Sequence, residues 1–124
     1  MAKDIRITAG SVVVEAELND TQTAGAIWDV LPIEERGSTW GDEIYFSVPV
    51  ESPLEADARQ VVEPGTLCFW VEGHALAIPF GPTPASVGDE CRLVTRVNLL
   101  GICLGDPKVL GSIKEGDTIR VARA

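Results

Sequence analysis

Two blocks constrain the fold more than any other part of this chain: Thr39-Trp40-Gly41-Asp42-Glu43-Ile44-Tyr45-Phe46-Ser47-Val48-Pro49 and Phe80-Gly81-Pro82-Thr83-Pro84-Ala85-Ser86. Each joins β-branched and aromatic residues to glycine and proline, which is the chemistry of strands and tight turns. In the first block Gly41-Asp42 makes a turn or bulge, and Glu43 to Val48 reads as a strand. Successive side chains of a strand point to opposite faces, so Ile44 and Phe46 share one face and Glu43 and Tyr45 the other. Pro49 ends the strand or marks an edge. The second block closes an apolar run, Ala75 to Phe80, and opens a loop from Gly81 to Glu90.

The same alternation recurs along the chain. Ile5 and Ile7, then Val12, Val14 and Ala16, form an N-terminal hairpin across Ala9-Gly10. Asn19-Asp20-Thr21 supplies N-cap candidates, and Ala24, Ile27, Trp28 and Leu31 lie on one helical face. The pattern predicts a helix from about Thr21 to Leu31, stopped by Pro32, with Trp28 packed on a sheet. Glu34 to Trp40 reads as a strand, and Glu51 to Gln60, with Pro53, as a surface excursion. Val61 and Val62 are extended, Glu63-Pro64-Gly65 is a turn, and Leu67 to Val71 pairs with Ala75 to Phe80 across Glu72-Gly73-His74. Arg96 to Leu104 is a hydrophobic strand. Asp106-Pro107-Lys108-Val109-Leu110-Gly111 is a compact helical turn, and Thr118 to Ala122 is the last strand.

The sum is a mostly-β chain of about eight short strands, one α-helix and a short helical turn. Frequent turns between short strands favour a closed barrel over an open sheet, with the helix over one opening. Its expected core holds Ile44, Phe46, Leu76, Ile78, Phe80 and Val97. At 124 residues and 45% hydrophobic content, residues 1–124 form one domain able to bury a core without staples.

Charge narrows the partners. A net charge of -9 repels phosphate backbones and gives no attraction to anionic lipid, so neither nucleic acid nor a membrane is an expected partner. There are three cysteines, Cys68, Cys91 and Cys103, an odd count without C-x-x-C spacing, which predicts reduced thiols and a cytoplasmic protein. Cys68 and Cys103 sit in apolar strands; Cys91 lies in a polar loop and is the thiol expected to react. The N-terminus shows no apolar signal region, and no stretch has the length of a membrane span.

Motifs of reaction chemistry are scarce. His74 is the one histidine and shares no metal-ligand spacing with the cysteines, so no bound metal and no cofactor are expected. No G-x-S-x-G element supports a nucleophile triad. Gly81-Pro82-Thr83-Pro84 has too few N–H donors to cradle phosphate. The aromatic residues carry more. Phe69 and Trp70 are consecutive and face opposite ways, so one belongs to the core and the other lies nearer the surface. With Trp40 and Tyr45, an outward tryptophan makes a platform for a small apolar or ring-shaped ligand; core packing is the alternative. Glu43 beside Tyr45 is either a solvated charge or a hydrogen-bond acceptor of that platform. The candidate ligand-binding residues are Trp40, Tyr45 and Trp70 for contact area, Glu43 and Thr83 for hydrogen bonds, and His74 as acid or base.

These segments, with Val61-Val62-Glu63-Pro64-Gly65 and Val97-Asn98-Leu99-Leu100-Gly101, make the chain resemble the prokaryotic cyclophilin-like family of uncharacterised small proteins. The resemblance follows the family order over nearly the whole chain and implies a cyclophilin-type β-barrel. Val71-Glu72-Gly73 departs from the two prolines and glycine often found there, and the stretch from Val87 to Arg96 is divergent. The segments of true cyclophilins are missing: no Phe-His-Arg run, and no asparagine-rich loop leading to Gln-Phe-Phe. Shared fold without shared reaction is the expectation. The favoured function is a module binding a small molecule or short peptide. The alternative is an enzyme, either a weak prolyl isomerase, with Arg36 or Arg59 as its arginine, or a barrel associated with hydrolysis of small amides.

Overall fold

In the computed structural model, which describes residues 3–124, the N-terminal alternation pairs β1 (Lys3–Ala9) with β2 (Val12–Leu18). Helix α1 (Gln22–Val30) follows, and the Thr21 side chain accepts from the Ala24 N–H as its N-cap. Leu31, held extended by the proline after it, ends the helix. The helix buries Thr23, Ala24 and Ile27. Trp28 is only half-buried: its ring packs against the core on one side and carries the Arg123 guanidinium 4.5 Å from its centroid.

The remaining strands are β3 (Ile33–Arg36), β4 (Ser38–Thr39), β5 (Glu43–Ser47), β6 (Arg59–Val62), β7 (Thr66–Trp70), β8 (Ala75–Pro79), β9 (Cys91–Cys103) and β10 (Thr118–Arg123). They join in the order β3-β10-β1-β2-β9-β7-β8-β5-β4, with β6 attached to β9 beside this path. The expected strand from Glu34 to Trp40 is broken at Gly37 into β3 and β4. One arm pairs with β10 and the other with β5, which brings the two ends of the sheet together into a nearly closed barrel. A Cβ at Gly37 would run into the Ile119 side chain, which would have to shift to admit any other residue at the bend. With β6 set aside and β3 and β4 counted as one bent stave, ten strands reduce to eight staves. The helical turn is a 3-10 helix, Pro107–Ser112, capped by Asp106.

Strand β9 is longer than the expected Arg96–Leu104. It runs for 13 residues, and its two halves do different work. The second half pairs with β7 and β2 in the barrel wall; the first half pairs with β6 outside it. Asn98 stands at the junction, fully buried. Its amide donates to Thr23 Oγ1 (3.1 Å) and Pro53 O (2.9 Å), and its Oδ1 accepts from the Glu55 N–H (2.7 Å). One side chain thus ties the helix, the 49–58 excursion and the bend of β9 together.

Two apolar clusters result, on opposite faces of the same strands. Ile44, Phe46, Leu67, Phe69, Leu76 and Ile78 point into the barrel. Cys68 and Ala77 point outward and pack with Val62, Cys91, Leu93 and Val97. The expected core is corrected at two positions. Phe80 is half-buried and packs against the barrel core from its margin. Val97 is fully buried, but in the outer cluster, because it belongs to the arm of β9 folded over the barrel wall. Among the described residues no helix is long and apolar enough to cross a membrane.

Leu76 has no exposed surface and sits in the barrel interior. Leu76→Ala is expected to lower stability by about 2–5 kcal/mol in a denaturant titration; a change near zero would contradict the barrel core described here.

Candidate functional site

The two sequence blocks meet in space. The Asp42 N–H donates to Pro82 O (2.9 Å), and the Phe80 N–H donates to Asp42 O (2.8 Å). Gly41 turns at φ 59°, and a Cβ there would lie 2.9 Å from both Pro84 Cδ and Thr83 Cα. Both the left-handed backbone and the close approach require glycine. The docked turn fixes where β5 begins, and so where Glu43 and Tyr45 point.

They point out of the barrel, into a hollow of about 160 Å³ lined by Trp40, Glu43, Tyr45, Trp70, Ala77, Leu93, Val94 and Val97. The hollow exists because the middle of this outer face is small. Cys68, Ala77 and Tyr45 lie in register across β7, β8 and β5, and the first two leave room beside bulky neighbours. Tyr45 and Trp70 meet edge to face, with ring centroids 6.3 Å apart at 88°, an arrangement aromatic pairs favour. Leu93, Val94 and Val97 come from the outer arm of β9 and form the opposite wall. A wider trough of about 410 Å³, lined by Ile33, Glu34, Glu35, Ser47, Val48 and Pro49, is open and has no aromatic wall.

Glu43 is the anomaly of the site. It is 5% exposed, and its Oε1 is buried without a hydrogen-bond partner. Burial pushes its carboxyl up to about 7, since a charged group loses hydration that nothing here replaces. The reading of Glu43 as a solvated charge is therefore corrected: β6 and the outer arm of β9 roof the face on which it stands. The Tyr45 beside it remains half-buried.

The structure brings Trp40, Glu43, Tyr45 and Trp70 together at the hollow; His74 and Thr83 do not line it. His74 is exposed in the β7–β8 turn, at φ 49°. Thr83 is buried, and its hydroxyl donates to Arg92 O (2.5 Å) while its N–H donates to Ser86 Oγ (2.8 Å). Thr83 thus holds the 81–90 loop together, and its donors are already used. Sequence reasoning missed Ala77, Leu93, Val94 and Val97 as lining residues, the last being expected in the barrel core. The signal for Leu93 was present, since Cys91 and Leu93 alternate with Arg92, but polar Arg92, Thr95 and Arg96 hid the strand. Arg36 and Arg59 are both exposed and outside the lining.

Cys91 is also corrected. It begins β9, is 2% exposed, and its thiol is pushed up by burial and then by the carboxylates of Glu63, Asp42, Glu43 and Asp89. Cys68 is raised well above the usual range by burial first, then by Glu43, and burial holds Cys103 at about 11. All three are free and buried. Among the described residues no three His, Cys, Asp or Glu side chains converge as a metal site would need.

A cyclophilin-like family model matches residues 3–122, and the chain belongs to that family. Among solved structures it is similar to the solution structure of the hypothetical protein AF2241 from Archaeoglobus fulgidus. The two share 34% sequence identity at a TM-score of 0.84, over 98% of this chain and 95% of that one. No curated protein matches it.

Two outcomes follow from the burial of these groups. The carboxyl of Glu43 rises from 4.5 to about 7 on folding, so its contribution is fully present below pH 4.5 and is lost as the pH climbs to 7. Glu43→Gln lacks this loss, and over that window it should gain about 3 kcal/mol on the wild type. A difference independent of pH would contradict the burial of an unpaired carboxyl. Thiol titration should find three groups in unreduced denatured protein and slow reaction of all three, Cys91 included, in the native state; rapid native labelling of Cys91 would contradict its placement.

Proposed function

We propose that this member of the cyclophilin-like family is a binding module that holds a small molecule, or a side chain of a short peptide, in the hollow on the outer face of its barrel. The observation that carries the reading is the gathering of Trp40, Tyr45 and Trp70 around one apolar hollow, with Glu43 as its buried acceptor. At about 160 Å³ the hollow is close to the size of an engineered cavity of about 150 Å³ known to take benzene. It therefore suits one six-membered ring or a short branched chain. Concave, mostly apolar sites with a few polar groups that fix orientation are the usual form of ligand pockets. The prolyl-isomerase alternative needs a donor aimed at a twisting amide, and no arginine is among the lining residues.

Fragments of this size are expected to bind weakly, at about millimolar Kd, equivalent to about 4 kcal/mol. In an NMR screen, ring-bearing fragments are expected to shift resonances clustered on Tyr45, Trp70 and Leu93 and to perturb tryptophan fluorescence. Tyr45→Ala should weaken both effects while leaving the protein folded. No clustered shifts with any ring-bearing fragment would assign these residues a purely structural role.

A further inference from the structure

The lining sorts itself into two kinds of surface. Ala77, Leu93, Val94 and Val97 are aliphatic and bind nothing polar. Trp40, Tyr45 and Trp70 present π-systems, whose faces are negative and attract cations. Glu43 Oε1 is an acceptor with no donor, on a side chain that is 5% exposed. Unsatisfied buried oxygens are rare in folded proteins and call for an explanation such as a missing partner.

Charges of both signs lie on the elements around the hollow: Arg59 on β6 is in register with Val97, and Arg92 and Arg96 flank Leu93 and Val97 on β9, but none of these arginines is among the lining residues, where Glu43 is the charged group. Asp42 precedes Glu43 on the chain, and Glu63 and Asp89 lie on the segments leading to the outer layer; all three, with Glu43, raise the thiol of Cys91. The other titratable groups facing Glu43 are the Cys68 and Cys91 thiols, both raised and so neutral, and Tyr45. The β8 residues opposite, Ala77 and Pro79, are not ionisable. Arg92, the cation next to Cys91 on the chain, is committed to Glu90 at 2.5 Å. Among the described residues no cation forms an ion pair with Glu43.

We infer that the occupant of this hollow is a small organic ammonium ion: a ring or branched alkyl group carrying a primary or secondary amine whose N–H donates to the Glu43 carboxylate, which lines the hollow. The inference rests on the reading of the hollow as a binding site and names its ligand class. An anion would meet the Glu43 carboxylate, with no arginine or lysine among the lining residues to hold it. A neutral apolar molecule would fill the hollow but leave the orphan oxygen unsatisfied. A quaternary ammonium ion would satisfy the aromatic faces but has no N–H for the Glu43 carboxylate. A primary or secondary ammonium meets all three surfaces, because its cation is held by charge, its N–H by the acceptor and its hydrocarbon by the apolar wall.

The probes are benzylamine, benzyl alcohol and benzoate, which share one ring and differ in the charge of the head group, with binding read by NMR shifts at pH 7.5. Benzylamine is expected to bind at least tenfold more tightly than either of the others. That preference should vanish in Glu43→Gln, a near-isosteric change whose folding is checked in the same spectra. In the wild type, benzylamine binding should tighten as the pH rises from 5 to 7, as Glu43 loses its proton, and then level off. This wild-type arm stands even if the variant fails to fold. Equal or tighter binding of benzyl alcohol or benzoate, or benzylamine binding independent of pH over that range, would overturn the ammonium inference and leave the binding-module reading intact. Failure of all three probes to bind would overturn the binding reading and this inference with it.

Discussion

The structure depends on a strand that is buried on both faces. β5 sends Ile44 and Phe46 into the barrel and Glu43 and Tyr45 into a second layer made by β6 and the outer arm of β9. A barrel wall ordinarily keeps one face for solvent. Here the turn at Gly41, locked to Pro82 and Thr83, fixes the phase of the strand, and a slip of one residue would send Glu43 into the barrel interior and Ile44 into the hollow. The same strand therefore sets both the core that holds the fold together and the chemistry of the hollow outside it.

Glu43 is where this arrangement opposes stability. A glutamine in the same place would not carry the penalty of a buried carboxylate, and an aliphatic residue would pack against Leu93 and Val97. Positions that oppose local stability without visible compensation are characteristic of functional sites. The penalty has its natural compensation in a bound partner, since anything that binds only the folded state stabilises it. Membership of the cyclophilin-like family fixes the barrel but not the reaction, so function has to be argued from this oxygen and the rings around it.

Much of the architecture was legible in the sequence because the alternation was clean. β1, β2, β5, β7 and β8 each fall within a residue or two of where their period-two patterns place them, and Thr21 and Pro32 bracket the helix. The division of Phe69 and Trp70 between core and surface follows from strand geometry alone. Less legible were features made by contacts distant in sequence. Apart from the glycine itself nothing marks the break at Gly37, because the side chain that lies against it is Ile119, 82 residues further along the chain. The outer arm of β9 was hidden because its polar residues face solvent while Cys91 and Leu93 face the wall. The burial of Glu43 was invisible for the same reason: its cover comes from β6 and β9, and no local pattern marks a carboxylate that a distant segment will roof. His74 and Thr83 lie elsewhere, since the β7–β8 turn exposes His74 and contacts within the 81–90 loop and with Arg92 bury Thr83.

Glu43 is the group at the centre of the site, and its protonation can be observed directly. The side-chain carboxyl carbon of Glu43, followed by carbon-13 NMR through a pH titration of the unliganded protein, should report a midpoint near pH 7, displaced by burial from its ordinary 4.5. A midpoint in the ordinary carboxylate range would show that Glu43 is solvated or paired, and would remove the physical basis for placing an orphaned acceptor at the centre of this site.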